Sequence, residues 1–254
     1  MTRVTGDRFM VKLFDWNRSL SKEKEYWIKH KKRISSQEWL EHVRQRTQWF
    51  LRWHKQYGSI NKNSRILHIG SGAEGEINFI DKGERIAIDP LAFFYKSHFS
   101  EIMNKTVQYL NGRGEELPFR DNSIDLVISF NSLDHCEDPR RVLSEISRVL
   151  KKNGLFYLGI HVKSRYGHTI FEMTKNLIKI TDHYHSYTSK SISHEVRSFL
   201  KIVDEKEETQ LEKHAPSRAE YTKPTIKNFL IFTALGQGMR VFHLLAKKHE
   251  EPTQ

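Results

Sequence analysis

Hydrophobic residues between positions 60 and 162 come in short runs that alternate with longer amphipathic stretches. The runs have the length of buried strands and cover residues 66–69, 85–88, 107–110, 124–130 and 155–161. Residues 92–103 and 139–150 lie between runs, and the second of these stretches is a clear helix with Asp138 placed to cap it. This alternation predicts a parallel, doubly wound sheet that helices cover on both faces.

The first 60 residues are predicted to be helical. Ser35 or Ser36 is suited to cap a helix that runs toward Gly58. Side chains recur on this helix at spacings of three and four, at Trp39, Val43, Arg46, Phe50 and Trp53. Such an aromatic stripe favours packing against the next domain over stacking on a cofactor or a base.

The last third of the chain has a weaker pattern. Residues 189–200 and 224–235 are predicted as helices, and the second is closed by glycines at positions 236 and 238. Residues 201–208 and 240–246 are predicted as strands, which would complete the sheet.

Composition supports a globular protein, because 37% of the 254 residues are hydrophobic and 29% are charged. No apolar run approaches the roughly 20 residues that span a bilayer. Residues 1–14 lack the apolar stretch of a signal peptide. The one cysteine, Cys136, cannot form an internal disulfide, so we expect a cytoplasmic, reducing location.

Positive charge is concentrated near the N-terminus. The net charge is +11, and residues 1–60 hold 14 Lys and Arg against 6 Asp and Glu, a local net charge of +8. A basic arm of this kind suits nucleic acid, an anionic membrane surface or a phosphorylated substrate. A solvated helical face explains the same charge equally well.

A glycine turn follows the first apolar run, with Gly70, Gly72 and Gly75 in a G-x-G-x-x-G pattern. Glycine lets the backbone approach a ligand closely, and dinucleotide and S-adenosylmethionine sites both use such a turn. Asp89 directly follows the second run. A carboxylate at that strand end can accept hydrogen bonds from both hydroxyls of a ribose.

Residues 112–129 and 148–154 carry further motifs. These motifs are Leu117-Pro118-Phe119, Asp-Asn-Ser-Ile-Asp at 121–125 and Arg-Val-Leu-Lys at 148–151. With them, residues 60–162 resemble the class I S-adenosyl-L-methionine (SAM)-dependent methyltransferases, in which such motifs occur in the same order and spacing. The resemblance implies an α/β, Rossmann-like, doubly wound and mostly parallel seven-stranded sheet with an N-terminal helical extension. It implies SAM as the cofactor, bound at His68, Gly70, Ser71, Gly72, Asp89, Arg113, Gly114, Glu115, Phe130 and Asn131.

Two of these positions differ from the family. His68 stands where the family usually has an acid, and Arg113 stands where it usually has Asp in the turn that holds adenine. One interpretation is ordinary sequence drift, with Glu115 and backbone groups holding the adenine. The other is weakened SAM binding in a relative without turnover.

Two clusters are candidates for the catalytic groups, because an acceptor hydroxyl or amine needs a nearby base. Asp134 and His135 follow the fourth run, and Asp182 and His185 follow the fifth. His161, which ends the fifth run, is a further candidate. Residues 134–139 and 182–188 resemble a bacterial subgroup of these enzymes that is associated with saccharide or secondary-metabolite pathways. No metal site is expected, since the histidines at 183 and 185 lack a clear third ligand set.

The predicted function is transfer of a methyl group from SAM to a small-molecule or saccharide acceptor, at a hydroxyl. The predicted division is 1–60 as helical extension, 61–162 as SAM-binding core, and 163–254 as acceptor-site cover with the last strands. An NAD-dependent oxidoreductase is one alternative. A catalytically weak, RNA-binding module of methyltransferase fold is the other, suggested by His68, Arg113 and the basic arm.

Overall fold

A seven-stranded sheet organises the computed structural model of the chain, which describes residues 16–178, 185–208 and 240–249. Within these residues the strand order is β3-β2-β1-β4-β5-β7-β6. The strands are β1 Arg65–Ile69, β2 Glu84–Asp89, β3 Gln108–Asn111, β4 Ile124–Phe130, β5 Leu150–Val162, β6 Leu200–Glu208 and β7 Arg240–Lys248. The first five run parallel, and β7 lies antiparallel between β5 and β6. The predicted α/β, mostly parallel sheet is therefore confirmed.

Seven α-helices accompany the sheet in the described residues. They are α1 Trp16–Lys29, α2 Lys31–Ile34, α3 Gln37–His54, α4 Ala92–His98, α5 Pro139–Val149, α6 Arg165–Ile178 and α7 Ser189–Arg197. Single 3-10 turns occupy Glu76–Phe79 and Leu133–His135. Two predicted caps are confirmed, because Ser36 Oγ accepts from Trp39 N at 3.2 Å and Asp138 Oδ1 accepts from Arg141 N at 3.1 Å.

The core lies on both faces of the sheet. Helix α3 covers one face, where the Phe50 ring stacks on Tyr157 with centroids 4.0 Å apart. Helix α5 covers the other face with buried side chains that include Val142 and Ile146. The aromatic stripe of α3 therefore packs on the sheet as predicted, with Phe50 and Trp53 buried.

In α4, β5 and α7, a boundary differs from the sequence prediction by three residues or more. Helix α4 ends at His98 and not at Met103, because the backbone leaves the helical conformation at Phe99 and turns that ring and Met103 into a cluster with Trp27. Strand β5 begins five residues early, at Leu150. Helix α7 ends at Arg197, before β6 starts. The predicted helix 224–235 and its closing glycines lie outside the described residues.

Contacts join the N-terminal helices to the last strands of the sheet. Trp53 Nε1 donates to Asp204 Oδ2 at 2.6 Å, and the Tyr57 hydroxyl donates to the same oxygen at 2.8 Å. Asp204 sits at an irregularity in the pairing of β6 with β7. Helix α3 is thus fixed to strands that follow it by about 150 residues. No described helix is both long and apolar enough to cross a membrane.

Candidate functional site

The glycine turn follows β1 and adopts the left-handed conformation at two residues. Gly70 has φ +65° and Gly72 has φ +57°. A Cβ on Gly70 would lie 2.3 Å from the Cβ of Ser132, so only glycine fits there. Ser71 is buried between them, and its hydroxyl donates to the Gly72 carbonyl. The turn is therefore held close against the residues that follow β4.

Asp89, at the end of β2, is bound to this turn. Its Oδ2 accepts from Gly72 N at 3.0 Å, and its Oδ1 accepts from Leu91 N at 2.8 Å. Only 7% of the residue is exposed, and this burial raises the pKa of the carboxyl to about 6. Two backbone N–H groups oppose that rise. Asp89, the residue predicted to bind the ribose, thus also fixes the conformation of the glycine turn.

His68 lies beneath the turn in a buried ionic cluster. Its Nε2 is 3.5 Å from Glu76 Oε2, and Arg46 Nε is 2.7 Å from Glu76 Oε1. Burial lowers the pKa of His68 to about 4, so the imidazole is neutral at pH 7. Arg46 holds the pKa of Glu76 below its usual range against the opposite effect of burial. The cluster therefore places an ion pair, Arg46–Glu76, beside the position where the resemblance leads one to expect an acid.

Glu74 adds a second carboxylate to the same place. Its Oε1 accepts from Trp39 Nε1 at 3.4 Å, while its Oε2 is buried and accepts no hydrogen bond from the described residues. Burial raises the pKa of Glu74 to about 7, although Arg46 acts to lower it. A buried carboxylate oxygen without a donor is unfavourable on its own and suits a cationic ligand group.

The turn after β3 holds the residues predicted to face adenine. Glu115 Oε1 accepts from the backbone N–H groups of Glu137 and Asp138, at 2.9 and 3.3 Å. Arg113 pairs with Glu137 and lies 3.5 Å from Glu115. Next to them, Gly114 is buried against Ile69. The Glu115 carboxylate therefore ties this turn to the start of α5, and both charged side chains have protein partners.

Helix α1 lies over the two turns. At its first residue, the Trp16 ring is 4.2 Å from the guanidinium carbon of Arg113. Near its end, the Trp27 ring packs so closely that a Cβ on Gly72 would be 2.7 Å from it. Trp27 Nε1 donates to Glu23 Oε1 at 2.8 Å, and the negative charge of Glu23 adds to the pKa rise of Asp89. The N-terminal extension thus forms one wall of the candidate cofactor site.

Phe130 and Asn131 follow β4 at the opposite side of the glycine turn. Asn131 has φ +47°, donates its N–H to Gly159 O at 2.9 Å and accepts from His161 N at 2.9 Å. The guanidinium carbon of Arg46 lies 3.8 Å from the centroid of the Phe130 ring. Asn131 thereby joins the ends of β4 and β5, and the Phe130 ring contacts the guanidinium of Arg46 in the buried cluster.

The candidate catalytic residues lie next to these strand ends. Asp134 is 6% exposed, and its Oδ2 is 4.0 Å from His135 Nε2. His185 donates its N–H to Asp134 O at 3.2 Å, and its Nε2 is 3.1 Å from Cys136 O. The two predicted clusters therefore meet. Asp182 lies outside the described residues, and His161 reaches this region through its backbone contact with Asn131.

Several polar residues near Asp134 were not singled out from the sequence. Lys163 directly follows β5, and burial lowers its pKa while Asp134 and Glu172 act to raise it. Ser186 Oγ donates to Glu172 Oε1 at 3.1 Å and lies 2.7 Å from His168 Nδ1. The signal for Lys163 was its position at the end of a parallel strand, where ligands bind in open α/β sheets.

Arg46, Glu74 and Glu76 were also missed as site residues, and each left a signal in the sequence. Arg46 is the one charged residue on the otherwise apolar stripe of α3. Glu74 and Glu76 flank the last glycine of the turn. Acidic side chains within a turn that approaches a ligand are candidates to contact it. A charge on a core-facing helix position needs a partner.

Comparison with known proteins gives a matching family. Residues 67–158 match the family model described as a methyltransferase domain. A putative methyltransferase, YrhH, from Bacillus subtilis (strain 168) is 33% identical over 108 residues, which are 40% of this chain and 59% of that protein. Human thiol S-methyltransferase TMT1B is 27% identical over 117 residues, covering 42% of this chain and 46% of that protein. The chain spans about half the length of the curated relatives it matches.

Solved structures share the fold at low sequence identity. The complex between the Haloferax volcanii Trm112 methyltransferase activator and the putative methyltransferase contains a chain with TM-score 0.63 and 17% identity, covering 91% of this chain and 99% of that one. Geranyl diphosphate C-methyltransferase from Streptomyces coelicolor A3(2), solved with Mg²⁺, geranyl diphosphate and S-adenosyl-L-homocysteine, has TM-score 0.59 and 14% identity. It covers 85% of this chain and 87% of that one.

Proposed function

The chain carries a methyltransferase domain of the class I, SAM-dependent family, and from this premise we propose that it transfers the methyl group of SAM to a hydroxyl of a small-molecule or saccharide acceptor. The contact between Gly72 N and Asp89 Oδ2 is the observation that carries the proposal. It joins the turn after β1 to the acid that ends β2, and these are the two groups that a nucleoside cofactor needs close together.

The described residues fit such a cofactor. Asp89 would accept hydrogen bonds from the ribose, while the positive-φ backbone at Gly70 and Gly72 would lie against the cofactor chain. The 113–115 turn would border the adenine, with Trp16 and Trp27 of α1 covering the opposite side. The Trp27 ring would lie 2.7 Å from a Cβ on Gly72, and we propose that α1 shifts away from the turn when the cofactor enters.

The residues after β4 would handle the acceptor proton. SAM supplies a methyl group on a sulfonium sulfur, and transfer breaks the sulfur–carbon bond while the acceptor oxygen forms a new one. The acceptor hydroxyl must lose its proton, and His135 is the proposed base because it is 29% exposed beside the more deeply buried Asp134. Asp134 would orient the imidazole and stabilise its protonated form. His185, which Asp134 and Cys136 hold in place, would border the acceptor.

A polar acceptor is supported by the groups around Asp134. Lys163, Glu172, Ser186 and His168 offer donors and acceptors that suit a molecule with several hydroxyl groups. The matched proteins do not share one acceptor, since their names include a thiol S-methyltransferase, a glycine/sarcosine/dimethylglycine N-methyltransferase and a geranyl diphosphate C-methyltransferase. The hydroxyl assignment therefore rests on this chain's own residues.

Titration calorimetry with SAM and S-adenosylhomocysteine (SAH) tests the cofactor part of the proposal. We expect both to bind, and we expect Asp89→Ala to weaken binding about 10- to 100-fold through the loss of charge-assisted hydrogen bonds. Asp81→Ala is the matched control, because Asp81 is an exposed acid three residues before β2. Absence of SAM and SAH binding in the folded, unsubstituted protein would refute the proposal.

Turnover tests the acceptor part. Radiolabelled methyl transfer is measured against panels of hydroxyl, amine and thiol compounds, and hydroxyl compounds should be methylated. His135→Gln should lower kcat about 10²- to 10⁴-fold while SAH affinity stays within about twofold. Exclusive methylation of amines or thiols would contradict the hydroxyl assignment and leave the methyltransferase assignment intact.

The two alternatives receive less support. The methyltransferase match favours SAM over NAD as the nucleoside cofactor. Base stacking on the aromatic stripe of α3 would require exposed rings, but Phe50 and Trp53 are buried against the sheet.

A further inference from the structure

Arg46 brings a cation from α3 to the glycine turn with part of its hydrogen-bonding capacity unused. Nε is 2.7 Å from Glu76 Oε1, and the guanidinium carbon lies 3.8 Å from the centroid of the Phe130 ring. Across the described residues, its two terminal nitrogens donate no hydrogen bond to the protein. The side chain is 11% exposed. A guanidinium fixed in this way presents two parallel donors, the arrangement that recognises a carboxylate.

Glu74 brings the complementary group. Trp39, two turns before Arg46 on the same helix, donates to Glu74 Oε1 and leaves Oε2 buried without a donor. Oε2 lies 3.8 Å from the position of a Cβ on Gly72, so it borders the turn itself. Arg46 and Glu74 are near enough for the charge of Arg46 to lower the pKa of Glu74. A guanidinium and a carboxyl group with unused hydrogen-bonding atoms thus both lie near the glycine turn, Arg46 through Glu76 and Glu74 through Gly72.

The strand order indicates which end of SAM would meet this pair. Asp89 ends β2 and the 113–115 turn follows β3, so the adenosine would lie on that side of β1. The rest of the cofactor would then extend over β1 toward the end of β4, where Phe130 lies. That end of SAM is an amino acid with one carboxylate and one ammonium group, and both need partners when removed from water.

We propose that Arg46 and Glu74 bind the amino-acid end of the cofactor, with Arg46 donating to its carboxylate and Glu74 Oε2 accepting from its ammonium group. The inference rests on the proposed function. It gives α3 a direct part in cofactor binding and supplies the carboxylate that His68 does not.

Comparing SAH with 5′-methylthioadenosine tests the proposal, because the second compound keeps the adenosine and the thioether sulfur but lacks the amino acid. Calorimetry should show tighter binding of SAH than of methylthioadenosine to the unsubstituted protein. Arg46→Gln and Glu74→Gln should each weaken SAH binding about 10- to 100-fold and change methylthioadenosine binding by less than about twofold. Arg44→Gln is the control, since Arg44 lies exposed on the same helix.

A second variant, together with the ratio of the SAH and methylthioadenosine affinities, distinguishes a role of Arg46 in binding from a purely structural role. Arg46→Lys keeps a cation for Glu76 but loses the planar pair of donors, so it should weaken SAH selectively. Equal weakening of both compounds, or no weakening of either, would overturn the proposal. Failure of the unsubstituted protein to bind either compound would overturn the methyltransferase function as well, whereas binding with no preference for SAH would overturn only the role of this pair.

Discussion

Glu74 illustrates how one residue can oppose stability while serving a site. Its Oε2 is buried with no donor among the described residues, and burial raises its pKa to about 7. The nearby cation is Arg46, which is also shared with Glu76, while His68 beside them is neutral at pH 7. One guanidinium acts on two carboxyl groups, so burial of the ionised form of Glu74 is only partly offset.

Glu74→Gln should therefore stabilise the ligand-free protein in a pH-dependent way. A carboxyl with a folded-state pKa of about 7 and an ordinary value of 4.5 makes the folded protein lose stability as pH rises through that window. Glutamine does not titrate, so the variant should gain on the order of 1–3 kcal/mol relative to the original at pH 8 and little at pH 4.5.

Thermal unfolding at both pH values measures this difference. Glu25→Gln on the exposed side of α1 is the control and should change Tm little at either pH. A Tm gain that is the same at pH 4.5 and pH 8 would show that the carboxylate of Glu74 is not under electrostatic strain. Together with weaker SAH binding, the expected gain would make Glu74 a residue that trades stability for affinity.

At the scale of elements, α1 is long enough to contact both turns of the candidate site. Its 14 residues give a helix of about 21 Å, with Trp16 on the 113–115 turn and Trp27 on the glycine turn. Only Ser19 and Trp27 are buried in α1, whereas α3 buries five residues. Helix α1 is therefore held less firmly than α3, and Trp27 is its main anchor.

Trp27→Ala should loosen this cover. We expect a loss of about 3 kcal/mol in stability from the vacated space among Tyr95 and Phe99, and faster association of SAH in stopped-flow experiments. Only molecules with an open site can bind the ligand, so a large closed fraction lowers the observed association rate. Loss of the Trp27 anchor should increase the open fraction and therefore the rate. Trp49→Phe, a substitution on the sheet-facing side of α3, should leave the association rate unchanged. A slower or equal rate in Trp27→Ala would mean that α1 does not obstruct entry.

At the scale of the whole molecule, β7 joins the C-terminal part to the sheet. It pairs with β5 along eight residues and with β6 on its other side. Its side chains at Leu244 and Ala246 belong to the same core cluster as Leu67 and Val127 of the central strands. The sheet should consequently unfold as one unit, although its strands come from distant parts of the chain.

Leu244→Ala tests that unity. Leu244 is fully buried, so its truncation should lower the free energy of unfolding by about 2–5 kcal/mol in denaturant titrations, in one transition. Leu20→Ala, at a partly buried position on α1, should have a smaller effect. A separate early transition in Leu244→Ala, with the remaining unfolding unchanged, would show that the C-terminal strands form an independent unit.

Much of the fold could be predicted from the sequence, because its determinants are local. The apolar runs at 66–69 and 124–130 became β1 and β4, and Asp138 with Pro139 set the start of α5. The predicted end of α4 was wrong because tertiary packing of Phe99 and Met103 outweighed the helical spacing of apolar residues in the sequence.

The site was less predictable, since it depends on contacts between distant residues. Asp89 and the glycine turn followed from strand ends, but Arg46 meets Glu76 only after α3 packs on the sheet. In the sequence, His68 stands at a position where the family usually has an acid. In the fold, two later residues, Glu74 and Glu76, contribute acids near that position. The roles of these residues in binding and catalysis stay predictions.

The hydrogen bonds from Trp53 and Tyr57 to Asp204 bear on the order in which the protein is made. The ribosome completes α3 about 150 residues before it adds Asp204, and β7 follows later still. During that interval the aromatic face of α3 has only part of its final partners, which leaves apolar surface accessible to chaperones and proteases. The nascent chain therefore reaches its native packing late, when the last strand enters the sheet between two strands that were synthesised before it.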